Sequence, residues 1–253
     1  NFFNFLLKKY FNIMKKFVVI IVFLVIILIS MIMYRSFTIK QQEENVSVDE
    51  ISQIETYIAK IYMWKEITGE ALPTFSDINQ ASDVWTWEVV KKNLEDYELS
   101  YDQIQDKAKE LFGPDFTKEF PKEGNDQIVY NPETEKYYAV GRGIDDEEDC
   151  FLLNTITRAD DGYNVEIIEY LEDYSEVYGN ITMENDENPD NSVDSDSKIV
   201  IRNTNGDEIG EISSNQEDMA KDMVKENMDR FSKKQLKIKK DGDNLYVKSV
   251  TAE

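Results

Sequence analysis

Phe17 to Met33, FVVIIVFLVIILISMIM, is an apolar run without a charge, and Ser30 is its only polar residue. As a helix it is about 25 Å long, near the lower limit for crossing the hydrocarbon core of a bilayer. Tyr34 and the flanking lysines extend that reach by snorkelling. Lys8, Lys9, Lys15 and Lys16 precede the run, whereas only Arg35 and Lys40 follow it closely. This asymmetry predicts a cytoplasmic N-terminus and an external C-terminus. A cleaved signal peptide has a shorter apolar core followed by small residues; here Ser36 and Thr38 alone have that spacing, with Arg35 among them. The expectation is an uncleaved single-pass signal anchor at 17–34, preceded by a basic cytoplasmic segment at 1–16 in which Met14 offers an alternative start. The membrane is thus the first expected partner.

Charge separates the rest of the chain from this segment. All six basic residues of the first forty positions lie around the span and no acid does, so the net −23 of the whole chain becomes −29 over the remaining 213 residues. A surface of that sign repels nucleic acid and anionic lipid. The single cysteine, Cys150, rules out an intramolecular disulfide, and the absence of histidine removes the usual general base and the commonest transition-metal ligand. Ten glycines leave little material for phosphate-cradling loops. The usage of Lys, Asn and Ile suits a low-GC bacterium, where Asn180-Ile-Thr182, a glycosylation acceptor by pattern, carries no sugar.

After a polar tether at 35–46, Ser47-Val-Asp-Glu50 fits a capping box, and Ile51, Ile54, Ile58 and Ile61 follow at helical spacing. The first helix is expected to run until Gly69 and Pro73. A second is expected over Ser82 to Leu94, and a third after the capping box Ser100-Tyr-Asp-Gln103, ending at Gly113-Pro114 with Gly113 as a left-handed cap. The period then changes to that of strands. Gln127–Tyr130, Lys136–Gly141, Cys150–Arg158 and Tyr163–Tyr170 read as an antiparallel meander, with Asp161-Gly162 as a hairpin turn. The acidic tract from Glu172 to Lys198 reads as a mobile excursion. Lys198–Arg202 and Glu208–Ile212 flank an Asn205-Gly206 turn. A helix from the Ser214–Glu217 capping box carries Met219, Met223, Val224, Met228 and Phe231, and a last hairpin pairs Gln235–Lys239 with Asn244–Val250 across Asp241-Gly242.

Helices segregated from an antiparallel sheet define an α+β ectodomain at 47–253: three helices on the sheet, then a late helix and a C-terminal hairpin. This element order is similar to the nuclear-transport-factor-2-like layout; the likeness carries no motif and transfers no function. The alternative is two units, 47–175 and 198–253, joined by the acidic linker 176–197.

Candidate sites follow from residue type. Asp145, Asp146, Glu148 and Asp149 cluster between Gly143 and the strand at Cys150, as oxygen ligands for Ca²⁺ would. The tract from Asp186 to Asp196 lacks calcium-loop spacing, with Asn191 and Ser197 where Gly and Glu belong. Tyr57, Tyr62, Trp64, Trp85, Trp87 and Tyr101 are candidates for a ligand groove between helices and sheet, although aromatics at helical spacing also serve as core. Cys150 opens an apolar strand and has no histidine to activate it. The leading functional expectation is a non-enzymatic binding module for a protein or small molecule. A cell-envelope hydrolase using paired Asp and Glu and a Ca²⁺-dependent adhesion module are the alternatives.

Overall fold

The computed structural model describes residues 46–94, 98–120, 128–139, 147–179, 197–216 and 218–253. The Phe17–Met33 run lies outside them, and among the described residues no helix is long and apolar enough to cross a membrane. The fold is α+β with antiparallel sheets.

Helix α1, Val48–Ile61, buries Ile54, Tyr57, Ile58 and Ile61, the stripe its spacing predicts. It stops well short of Gly69 for a tertiary reason. The Ile61 carbonyl accepts the Trp85 indole N–H at 3.1 Å, Met63 N–H goes to the Ala71 carbonyl at 2.9 Å, and Lys65 N–H goes to the Asp149 carboxylate. With these groups claimed from elsewhere, Tyr62 to Trp64 leave the helix. One turn, α2 (Lys65–Thr68), follows and closes on Gly69 in the left-handed conformation, φ 82°. A 3₁₀ turn at Ile78–Gln80 leads to α3, Asp83–Lys92, whose N-cap is Ser82. Helix α4, Tyr101–Phe112, forms the full Ser100/Gln103 capping box. Gly113 behind it has φ 97° and ψ 168°, positive but extended rather than the expected left-handed cap. Its missing Cβ leaves room for the ring of Tyr246.

The strands do not form one meander. Strand β1 (Glu98–Ser100), which periodicity did not reveal, pairs with β3 (Lys136–Ala139), and β3 pairs with β2 (Ile128–Asn131) in a separate three-stranded sheet. The larger sheet is built around β5, Gly162–Asp173. One edge of β5 takes the whole of β4, Glu147–Ala159; the other takes β8 (Ser232–Asp241) at 162–169 and β6 (Lys198–Arg202) at 171–173. Strand β7 (Glu208–Ser213) extends β6, and β9 (Asn244–Ala252) extends β8. Glu172 and Asp173 thus belong to β5, and Ser175–Gly179 forms a short helix, α5, rather than an excursion. The rest of that tract, 180–196, lies outside the described residues.

Side chains alternate across β5. Tyr163 faces α1, its hydroxyl 2.7 Å from Glu50; Ile168 and Tyr170 face the opposite way, into a cluster with Ile199, Ile201, Val224 and Phe231. Val224 lies on helix α6, Asp218–Glu226, which starts beyond the proposed capping box; Phe231 lies past it, after a 3₁₀ turn at Met228–Arg230. Val48–Glu253 forms one compact unit.

The β4–β5 turn is Asp160-Asp161, and Gly162 is already in the strand, paired with Ala159 and Lys239. A Cβ at Gly162 would lie 1.9 Å from the Ile238 carbonyl oxygen, so β5 and β8 approach through it. We expect Gly162→Ala to lower stability by about 2–3 kcal/mol in urea denaturation, as overpacking against backbone does. Gly69→Ala, at a positive φ with open space around it, should cost about 1 kcal/mol.

Candidate functional site

The break between α1 and α2 creates the most distinctive surface of the described residues. Tyr62, Met63 and Trp64 leave the helical path beside the first residues of β4, enclosing a groove of about 510 Å³. The α1–α2 connection supplies one wall; Glu148 to Phe151 of β4 supply another, and Tyr170, Glu172 and Tyr174 the third. Lys221 of α6 and Glu55 of α1 also line it and pair at 3.3 Å. A second hollow, of about 520 Å³, shares Trp64 and Asp149 with the first. Trp64 is 47% exposed, unusual for so large an apolar side chain.

Electrostatically the groove is acidic. Glu55, Glu148, Asp149 and Glu172 line it against Lys92 and Lys221. Lys92 donates to the Ala59 and Tyr62 carbonyls at 3.0 and 2.9 Å, closing the end of α1, and burial pulls its pKa below the ordinary lysine value. Burial, reinforced by Glu172, Glu148 and Asp149, pushes the Cys150 thiol far up. It is a core-facing thiol rather than a nucleophile.

Beneath the groove lies a buried ion pair. Glu169 of β5 meets Lys234 Nζ of β8 at 3.2 Å and accepts from Tyr62 Oη at 3.3 Å; Tyr62 Oη also donates to the Cys150 carbonyl at 3.0 Å. Lys234 donates in addition to the Leu72 carbonyl. Burial raises the Glu169 pKa, and Lys234 opposes that rise. This network joins the groove wall at Tyr62 to the centre of the sheet.

The sequence-named aromatics separate. Trp64 is in the groove. Trp85 is fully buried between Phe75 and Phe112, its indole N–H spent on the Ile61 and Ala71 carbonyls. Trp87 packs on Phe120 and Tyr137, and its indole nitrogen meets no acceptor among the described residues. Tyr57 is a buried bridge: its hydroxyl donates to the Leu111 carbonyl at 3.1 Å and accepts from Val247 N–H at 2.7 Å. Tyr101 leans on Tyr137, far along the chain from the groove. Tyr62, also named from the sequence, lines the groove beside Trp64, and Phe151, Tyr170 and Tyr174 join them without a sequence signal of their own. The one available signal was the break in helical spacing after Ile61.

Of the calcium candidates, Asp145 and Asp146 lie outside the described residues. Glu148 and Asp149 are successive residues of β4, paired to Glu172 and Leu171, rather than members of a chelating loop. No group of three or more metal-ligating side chains suited to a metal ion occurs among the described residues. Comparison with family models, curated proteins and solved structures gives no match for the chain, so the nuclear-transport-factor-2-like layout stays a likeness of element order.

Lys234→Met leaves Glu169 buried without its cation, which costs about 3–5 kcal/mol near neutral pH. Without Lys234 the folded-state pKa of Glu169 climbs further above its unfolded value, so the folded state takes up the proton first. Acidification through that interval stabilises the fold. Denaturation curves at falling pH should therefore show the deficit of Lys234→Met shrinking towards pH 4.5; a pH-independent deficit would contradict this.

Proposed function

We propose that the chain is a membrane-anchored, non-enzymatic binding module whose external domain holds a cationic partner in the groove at Trp64. The observation that carries this reading is the convergence of a half-exposed Trp64 with the carboxylates of Glu55, Glu148, Asp149 and Glu172. An aromatic face attracts ammonium and guanidinium groups, and a concave surface lined by one sign of charge concentrates counter-ions. Lys92 does not compete, since its ammonium is committed to the end of α1. The apolar run at Phe17–Met33, with its basic leading flank, supports anchoring with the N-terminus in the cytoplasm and Val48–Glu253 outside.

Two measurements test the reading. In membranes prepared from expressing cells, the full chain should resist alkaline carbonate extraction, and protease added to intact cells with a permeable outer layer should remove Val48–Glu253. Recovery of the chain in the carbonate supernatant would sink the anchor. With the full chain in a mild detergent, hexalysine should perturb tryptophan fluorescence and hexaglutamate should not. Trp64→Ala should abolish the response, and 0.5 M salt should weaken binding by more than tenfold. Equal responses to the two peptides would remove the cationic-partner assignment.

A further inference from the structure

The groove opens onto a sheet edge. Lys240 N–H donates to the Asp161 carbonyl at 2.8 Å, which makes Asp161 and Lys240 a hydrogen-bonded pair of the β5–β8 ladder. The odd residues of β5 therefore direct their main-chain groups to β8 over this stretch, and the even ones direct theirs to β4. Glu148, Cys150 and Leu152 of β4, opposite Glu172, Tyr170 and Ile168, point inward. Phe151 and Leu153 point to the other edge, and beyond the register shift at Leu153/Thr155 so does Ile156. Among the described residues, the N–H and C=O of Phe151, Leu153 and Ile156 meet no hydrogen-bond partner, and β4 pairs with no strand except β5.

Edges of this length are usually blunted by proline or lysine. Glu147–Ala159 contains neither; its charges stand at the two ends, Glu147 to Asp149 and Arg158, and one bulge beside Asn154 interrupts the stretch between them. Phe151, Leu153 and Ile156 are half-buried there. The same residues that begin this edge, Glu148 to Phe151, form a wall of the groove.

Resting on the reading of the groove as a cationic-partner site, we propose that its occupant is an extended basic peptide segment of a partner protein, added as a further strand along the edge of β4 at Phe151, Leu153 and Ile156, which pairs with no described strand. The main chain of the segment pairs with Phe151 and Leu153, and its basic side chains lie against Glu148 and Trp64. Strand addition supplies affinity through backbone hydrogen bonds, and flanking pockets read alternate side chains. Charge decides the composition: the groove's acids outnumber its lysines, one of which is bound to backbone carbonyls and the other to Glu55.

The test uses the full chain in detergent and the blocked octapeptide Lys-Val-Lys-Val-Lys-Val-Lys-Val, beside the same peptide N-methylated at every second residue. N-methylation keeps the charge and removes the donors of one edge. The expected result is binding of the unmethylated peptide, at least tenfold weaker binding of the methylated one, and at least tenfold slower hydrogen exchange at Phe151 and Leu153 in the complex. Equal binding of both peptides would overturn strand addition while leaving the groove a cation site. Binding of hexalysine with no binding of the octapeptide would also overturn it, and failure of all three peptides would remove the parent reading as well. Slow exchange at Phe151 and Leu153 without peptide, with a dimeric mass, would assign the edge to a second copy of the chain and overturn the proposal.

Discussion

Strand β5 is the constraint on which the rest of the larger sheet depends, because it carries β4 on one edge and both β6 and β8 on the other. Beyond its first residues β5 is also buried on both faces, yet it contains Glu166, Glu169, Glu172 and Asp173, all buried. Each is matched. Glu166 accepts from Gln235 and Asn154, Glu169 pairs with Lys234, Tyr174 donates to Glu172 at 2.6 Å, and Arg202 pairs with Asp173 at 3.0 Å. Three of these partners come from β6 and β8, so the carboxylates help to select which strands may lie beside β5.

The groove is a consequence of the same arrangement. Tyr62 hands its hydroxyl to Glu169 and to the Cys150 carbonyl, and that contact draws the end of α1 down onto the β4–β5 hairpin. Trp85 holds the Ile61 carbonyl from the other side. Between these two anchors the chain cannot continue as a helix, and Trp64 is left facing solvent above a row of acids. Packing below and exposure above are therefore one event rather than two.

Local signals were legible where they were complete in a few residues. The Ser100/Gln103 box and the Ile54, Ile58 and Ile61 stripe appear as the sequence predicts, and the last hairpin forms with its turn one residue later, at Gly242-Asp243, because each depends on neighbours in sequence. The turn at Asn203–Asp207 also forms, with Gly206 at φ 88° and the Asn203 side chain accepting from Asn205 and Asp207 N–H. The Gly113 cap, the Asp161-Gly162 turn and the Ser214–Glu217 box are local readings that the structure shifts; the other departures are set at long range. Helical spacing makes the first helix too long, because the groups at its C-terminal end bond instead to Ala71, Trp85 and Asp149, from 8 to 84 positions away. Strand pattern implies a continuous meander where two sheets form, because it does not name a partner, and β1 is three residues long. Of the six aromatics that residue type suggests for a groove, Tyr62 and Trp64 lie in this one, since helical spacing is the same for a core ring and an exposed one.

The sequence by itself determined the charge, the apolar run at Phe17–Met33, the absence of histidine chemistry, the α+β class and the short-range caps and turns. These are properties of composition and of contacts within about one turn of chain. Tertiary structure alone decided which of the many acids are buried in β5 and which line the groove, which tryptophan meets solvent, and which edge of β4 pairs with no strand among the described residues. Those outcomes depend on which distant residue claims a given carbonyl or carboxylate, and a linear pattern of residue types holds no record of that choice.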